Sequence, residues 1–326
     1  EYRRQRQMCI RDSTNTTASC NTAFGACALY ANTTGPYNVA TGWLSLKSNT
    51  TGQYNVGVGA FALCLNTTGS GNLAVGTSAL KSNTTGVKNT ASGGDVLYAN
   101  TTGSRNTASG YRSLFSNTTG NQNVAVGNCA LGGNTTGAKN TASGSCALRS
   151  NTTGYSNTAS GWYALQANTT AIRNTAIGDV SVYSNTTGAC NTAVGMRALY
   201  ANSTAGFNTA VGTCALTTNT TGANNTATGY SSLKSNTTGS YNTAHGFRAL
   251  AKNTTSGINT AIGFDTLCSN TTGQVNTAVG GQSMQQNTTG SHNTASGYLS
   301  LYMNCLLYTS DAADDTPCVD LGGRRI

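Results

Sequence analysis

A chain of 326 residues with a formal charge of +9 carries 40 Gly but only 2 Pro, and just 8% of its residues are charged. Scarce Pro excludes collagen and solvated linkers, and low charge excludes an ordinary disordered tail. No apolar run approaches the ~18 residues of a membrane helix. With 37% apolar residues a large aliphatic core is not available, which leaves a fold made by repeating a small, thin-cored unit.

Taken in chain order, the two ends stand apart from everything between them. Residues 3–13 read RRQRQMCIRDS and residues 305–314 read CLLYTSDAAD. Back-translating the first gives an oligonucleotide whose reverse complement encodes the second. Both ends are thus one DNA read on opposite strands, and that DNA resembles a sequencing adapter. Residues 1–13 and 305–326 are therefore expected to be adapter-derived and are excluded from fold reasoning. Arg3, Arg4 and Arg6 then cease to be a targeting or nucleic-acid arm, and Asp311, Asp314 and Asp315 cease to be a metal site. Between the ends, twelve Lys and Arg face only three acids, Asp95, Asp179 and Asp265.

Residues 14–304 form one expected domain with an unbroken 17-residue period. Asn recurs at Asn15, Asn32, Asn49 and onward to Asn287, and a second Asn follows six places later at Asn21, Asn38 and Asn55. Gly recurs at Gly25, Gly42 and Gly59, and Leu at Leu29, Leu46 and Leu63, with Val182 and Met284 as the exceptions in the Leu series. The unit reads N-T-T-G-x-x-N-T-A-x-G-x-x-A-L-x-x with no insertion or deletion. One Leu per period supplies no helical stripe, and Asn, Thr and Gly are poor helix formers.

The period predicts an all-β parallel β-solenoid with one repeat per coil. Two strands of ~4–6 residues are expected in each coil, such as 106–109 and 113–115. The second Asn and the Ala share one strand face, while the Thr or Val between them and the residue after the Ala share the other. Leu should stack into an apolar ladder, and stacked Asn amides should pair with neighbouring coils and with turn backbone. Seventeen coils at ~4.8 Å would make a rod about 80 Å long. One buried Leu per coil, worth ~2 kcal/mol, is a thin core for the backbone it orders. That deficit favours a homotrimer.

The run Asn191, Thr192, Ala193, Val194, Gly195, followed by Ala198 and Leu199, resembles the head repeats of trimeric autotransporter adhesins. The 17-residue form is similar to repeats in bacterial and phage tail-fibre-like proteins. The resemblance spans 14–304 and implies a trimeric left-handed β-roll. The longer period and the Leu depart from the adhesin pattern, and the resemblance says little about ligand.

Chemistry for catalysis, metals or cofactors is not legible. His245 and His292 lie nearly three coils apart, and the turns lack the Asp that repeated calcium sites require. Eight Cys lie between the ends without a C-x-x-C. Of these, Cys129 and Cys146 occupy the same place in adjacent coils, a separation that permits a disulfide. Each first Asn opens a literal N-glycan acceptor, Asn83, Asn100 and Asn117 among them, against the alternative of a turn ladder. Trp43, Tyr111, Trp162 and Tyr230 follow the repeated Gly and suit either stacking on glycans or packing between protomers. The basic residues, Lys47, Lys81, Arg112, Arg149 and Arg248 among them, are spread along the chain. They suit attraction to anionic surfaces rather than a nucleic-acid groove. Adjacent Thr in N-T-T point to opposite faces when extended, and the unit itself lacks the T-x-T of an ice-binding face.

The expected function is the shaft or head of an extracellular fibre, on a bacterial surface or a virion. It would make multivalent contact with a cell-surface glycan or host receptor, with no nucleic acid and no membrane contact. A soluble ice- or glycan-binding solenoid is the alternative.

Overall fold

A computed structural model describes residues 18–303, so both end segments, with Asn15 and Asn304, lie outside the described residues. The chain divides into two compact units, Glu1–Arg173 and Asn174–Ile326. Each is an all-β parallel solenoid that advances one coil per repeat. The first holds nine described strands, from Thr22–Phe24 to Thr158–Ser160, and the second eight, from Thr175–Ile177 to Thr294–Ser296. Neighbouring strands pair one repeat apart. In the first unit Thr107, Ala108 and Ser109 pair with Val124, Ala125 and Val126. In the second, Thr209, Ala210 and Val211 pair with Thr226, Ala227 and Thr228.

Each coil contains one strand of three residues, not two of four to six, which corrects the strand at 113–115. There the backbone turns twice, because Arg112 (φ 55°) and Leu114 (φ 49°) both lie in the left-handed region. The physical reason is thickness. Two sheets packed face to face stand ~10 Å apart, and the strand's inward residue is only Ala. The opposite wall has to approach more closely, and alternating left- and right-handed residues fold it inward. A third left-handed residue, Arg105 (φ 59°), precedes the second Asn.

Left-handed backbone costs an L-residue roughly 1–2 kcal/mol, and hydrogen bonds between coils offset it. The Leu114 amide donates to Ala130 O at 3.0 Å, Arg112 to Gly94 O at 3.1 Å and Arg105 to Val87 O at 2.9 Å.

The core is a set of parallel columns. Leu46, Leu63 and Leu80 in the first unit, and Leu199, Leu216 and Leu233 in the second, are wholly buried within their own chain. Leu29 is buried as well. The strand Ala and the residue just before the Leu, such as Ala62, Val96 or the polar Ser113, are buried beside the Leu column. Gly25, Gly42 and Gly59 stack at the end of the strand with φ of 135°, 127° and 131°. A Cβ on Gly42 would come within 2.6 Å of the carbonyl carbon and oxygen of Gly59.

Asn fills the rest of the interior. Asn49 donates to Asn32 Oδ1 at 2.8 Å and to Gly52 O at 2.9 Å. In the second ladder Asn55 donates from its backbone and its amide to Asn38 Oδ1, and to Gly69 O at 2.8 Å. Asn38 makes the equivalent bond to Asn21 Oδ1 through its backbone amide. Both amide hydrogens are thereby used, as a buried Asn requires. The first Thr of each N-T-T-G adds another tie: Thr84 Oγ1 donates to Thr101 O at 3.1 Å. That oxygen also accepts the backbone amides of Thr84, Thr85 and Gly86.

Candidate interaction surfaces

Alternation along a three-residue strand buries the central Ala and turns its two neighbours outward. In the second unit Thr stands first in all eight strands. The outward residue two places later is Ile177, Val194, Val211, Thr228, His245, Ile262, Val279 or Ser296. In the first unit the same two columns mix Thr, Val, Leu and Ser with Phe24. No Lys, Arg, Asp or Glu occupies a described strand position in either unit. This outward face therefore carries T-x-V, T-x-I, T-x-S and, at Thr226 and Thr228, T-x-T. These pairs lie on the strand and do not use the N-T-T threonines.

Trp43, Tyr111, Trp162 and Tyr230 are exposed, but each also meets a neighbour in its own chain. Tyr230 stacks on Phe247 with ring centroids 5.4 Å apart, and Phe247 on Phe264 at 5.6 Å. Trp43 meets Phe61 edge-to-face at 4.6 Å, and Trp162 meets Tyr163 at 4.5 Å. The Tyr111 ring lies beside Gly94, with the Arg112 guanidinium 5.8 Å from its centroid. Ring faces that a sugar would stack on are thus partly taken by neighbours in the same chain.

The first Asn of each described turn, read as a literal glycan acceptor, is interior, whereas the extra acceptor Asn224 is exposed. Asn83, Asn100 and Asn117 are completely buried. Asn83 Nδ2 donates to Asn66 Oδ1 at 2.7 Å and to Gly86 O at 3.0 Å. Asn100 and Asn117 repeat the pattern. A glycan bond forms on this nitrogen, so the folded coil has no place for one. The N-T-T-G sequence works here as a turn ladder.

Cys129 and Cys146 stand in successive coils as free thiols, the first half-buried and the second buried. Burial pushes the ionisation of Cys64 and of Cys268 above the usual thiol value, against the opposing pull of Lys47 and Lys81 on Cys64 and of Arg248 on Cys268. Among the described residues no group of three or more His, Cys, Asp or Glu is placed to hold a metal ion. His245 Nδ1 lies 2.6 Å from Thr228 Oγ1 on the outward sheet face, and Asp265 pairs with Arg248 at 3.4 Å. No described helix is long and apolar enough to cross a membrane.

Sequence reasoning missed the column just before the second Asn. Lys88, Arg105, Lys139 and Arg173 share that place in the first unit. Its signal was available only by reading the variable positions at a spacing of 17, one place at a time. Comparison with family models, with curated proteins and with solved structures returns no match for the chain.

Proposed function

We propose that the chain is a non-catalytic structural and adhesive repeat region, the shaft or head of a fibrous protein on a bacterial surface or virion. It would assemble as a homotrimer and meet a cell-surface glycan or host receptor along its length. The observation that carries this reading is the register: each unit repeats its Asn and Thr bonds coil after coil without a single inserted residue. Such one-dimensional stacking holds other domains at a distance and multiplies weak contacts.

Leu is already covered by its own chain, so self-association rests on the charge-free sheet face, where Leu73, Val75, Val124 and Val126 are exposed. Sedimentation equilibrium on the whole chain tests this. Trimers that dissociate in V124K/V126K are expected, and a fully folded monomer at every concentration would overturn the trimer.

The T-x-V and T-x-T columns favour a second reading, a soluble ice-binding solenoid. Hydroxyls and methyls at a repeating interval, without charge, suit the ordering of water. A thermal-hysteresis assay decides it: a freezing-point gap that disappears in T209K/T226K supports the second reading, and no gap excludes it.

A further inference from the structure

The first unit carries a charge pattern that neither reading uses. Lys88, Arg105, Gln122, Lys139, Ser156 and Arg173 occupy one place in six successive coils. All six share a left-handed backbone, with φ between 56° and 59°. Each amide donates to a carbonyl of the preceding coil, Lys139 to Asn121 O at 3.0 Å for example. The four cations are exposed and stand in line on a backbone fixed by these bonds, at intervals of one or two coils, each ~4.8 Å.

No carboxylate pairs with any of the four among the described residues. In the whole first unit, eight Lys and Arg between residues 18 and 173 face Asp95 alone. The same place in the second unit holds no Lys or Arg, and residues such as Phe207, Tyr241 and Ile258 stand there instead. In this column the cations are therefore confined to the first unit, while Lys47, Lys81 and Arg149 share a different place in the coil.

We infer that Lys88, Arg105, Lys139 and Arg173 bind a linear polyanionic polysaccharide laid along the coils, its carboxylates or sulfates meeting successive cations. Arg105 and Arg173 suit two-pronged contact with such groups, and the Lys residues act as point charges. The exposed Thr102 and Thr136, three residues before Arg105 and Lys139, supply hydroxyls to sugar. A sugar chain advances per residue by roughly one coil height, which keeps ligand and track in step. A single strand of nucleic acid requires aromatic platforms for its bases, and this column offers none from Lys88 to Arg173. The inference does not need the fibre reading, because a soluble monomer would present the same track.

The test immobilises the whole chain and measures binding of polygalacturonate, dextran sulfate, neutral dextran and poly(dT) at two salt concentrations. The variant K88Q/R105Q/K139Q/R173Q is compared with K47Q/K81Q/R149Q/K234Q, which removes the same charge elsewhere. Expected are salt-sensitive binding of one or both acidic polysaccharides and none of neutral dextran. A loss of about tenfold or more is expected in the track variant and a much smaller one in the control. The stronger of the two acidic probes identifies carboxylate or sulfate as the group recognised. Equal loss in both variants, no binding of either acidic polymer, or poly(dT) bound as tightly would overturn it. The substituted side chains are exposed except for the half-buried Lys81, and circular dichroism checks that both variants keep the fold.

Discussion

Asn55 and Asn66 donate to the same carbonyl oxygen, that of Gly69, at 2.8 and 2.9 Å. The two Asn ladders are therefore one network tied at each N-T-T-G turn. All three residues are buried, so every hydrogen in the network lacks water as a substitute partner.

Replacing Asn66 by Asp tests this network with almost no change of volume. A carboxylate cannot donate to Gly69 O or Asn49 Oδ1, and it would bury a charge against two acceptors. Asn66→Asp should lower stability by about 3 kcal/mol or more at neutral pH, read by denaturant unfolding of the whole chain. The loss should shrink in acid, where the protonated carboxyl donates one bond. An unchanged midpoint at neutral pH would contradict the network.

Two glycine columns should respond differently to a methyl group. At Gly42 the backbone is at φ 127° and the next coil's Gly59 carbonyl occupies the Cβ position. A Cβ on Gly52 would also meet a carbonyl of the next coil, that of Gly69, but there the φ is not in the restricted region, and equivalent places in other coils accommodate Ala171 and Ala205. Gly42→Ala should therefore cost about 3 kcal/mol or more and Gly52→Ala about 1. Paired thermal melts read the difference, and equal losses would count against the assignment of strain to the first column.

Ser181 is fully buried and its hydroxyl has no hydrogen-bond partner among the described residues. Ala198 and Ala215 fill the same place in the following coils. Ser181→Ala should raise stability by about 1 kcal/mol, visible as a higher denaturant midpoint with an unchanged slope.

Buried thiols give a pH dependence with a definite sign. Cys64 and Cys268 ionise above the usual value in the folded chain because burial disfavours the thiolate. The unfolded chain therefore loses these protons first. Their contribution to stability is fully present below the unfolded thiol's value, ~8.5, and is lost as pH rises through the folded one. The double variant C64A/C268A should show a smaller fall in stability between neutral pH and pH of about 10. In the unsubstituted chain at neutral pH, the exposed Cys20 and Cys27 should alkylate well before Cys64 and Cys268.

The period, the identity of the inward residues and the confinement of Asn, Ala, Gly and Leu were legible because repetition within one chain shows which side chains tolerate no change. The left-handed residues were not. Lys88, Arg105, Leu114 and Val182 carry no residue signature for positive φ, and Val182 (φ 50°) is a β-branched side chain that disfavours it. The literal glycan acceptors misled for a related reason: a triplet names an Asn but not whether its amide faces solvent.

By itself the sequence determined that this chain repeats every 17 residues and which few side chains each repeat must enclose, since one inserted residue would displace every column above it. Only the tertiary structure decided that a coil closes with one short strand and three left-handed residues. Closure around Ala and a single Leu, with neighbouring coils supplying the hydrogen bonds, outweighs local preference at those places. The same closure turned scattered variable residues into an uncharged sheet face and a cationic track.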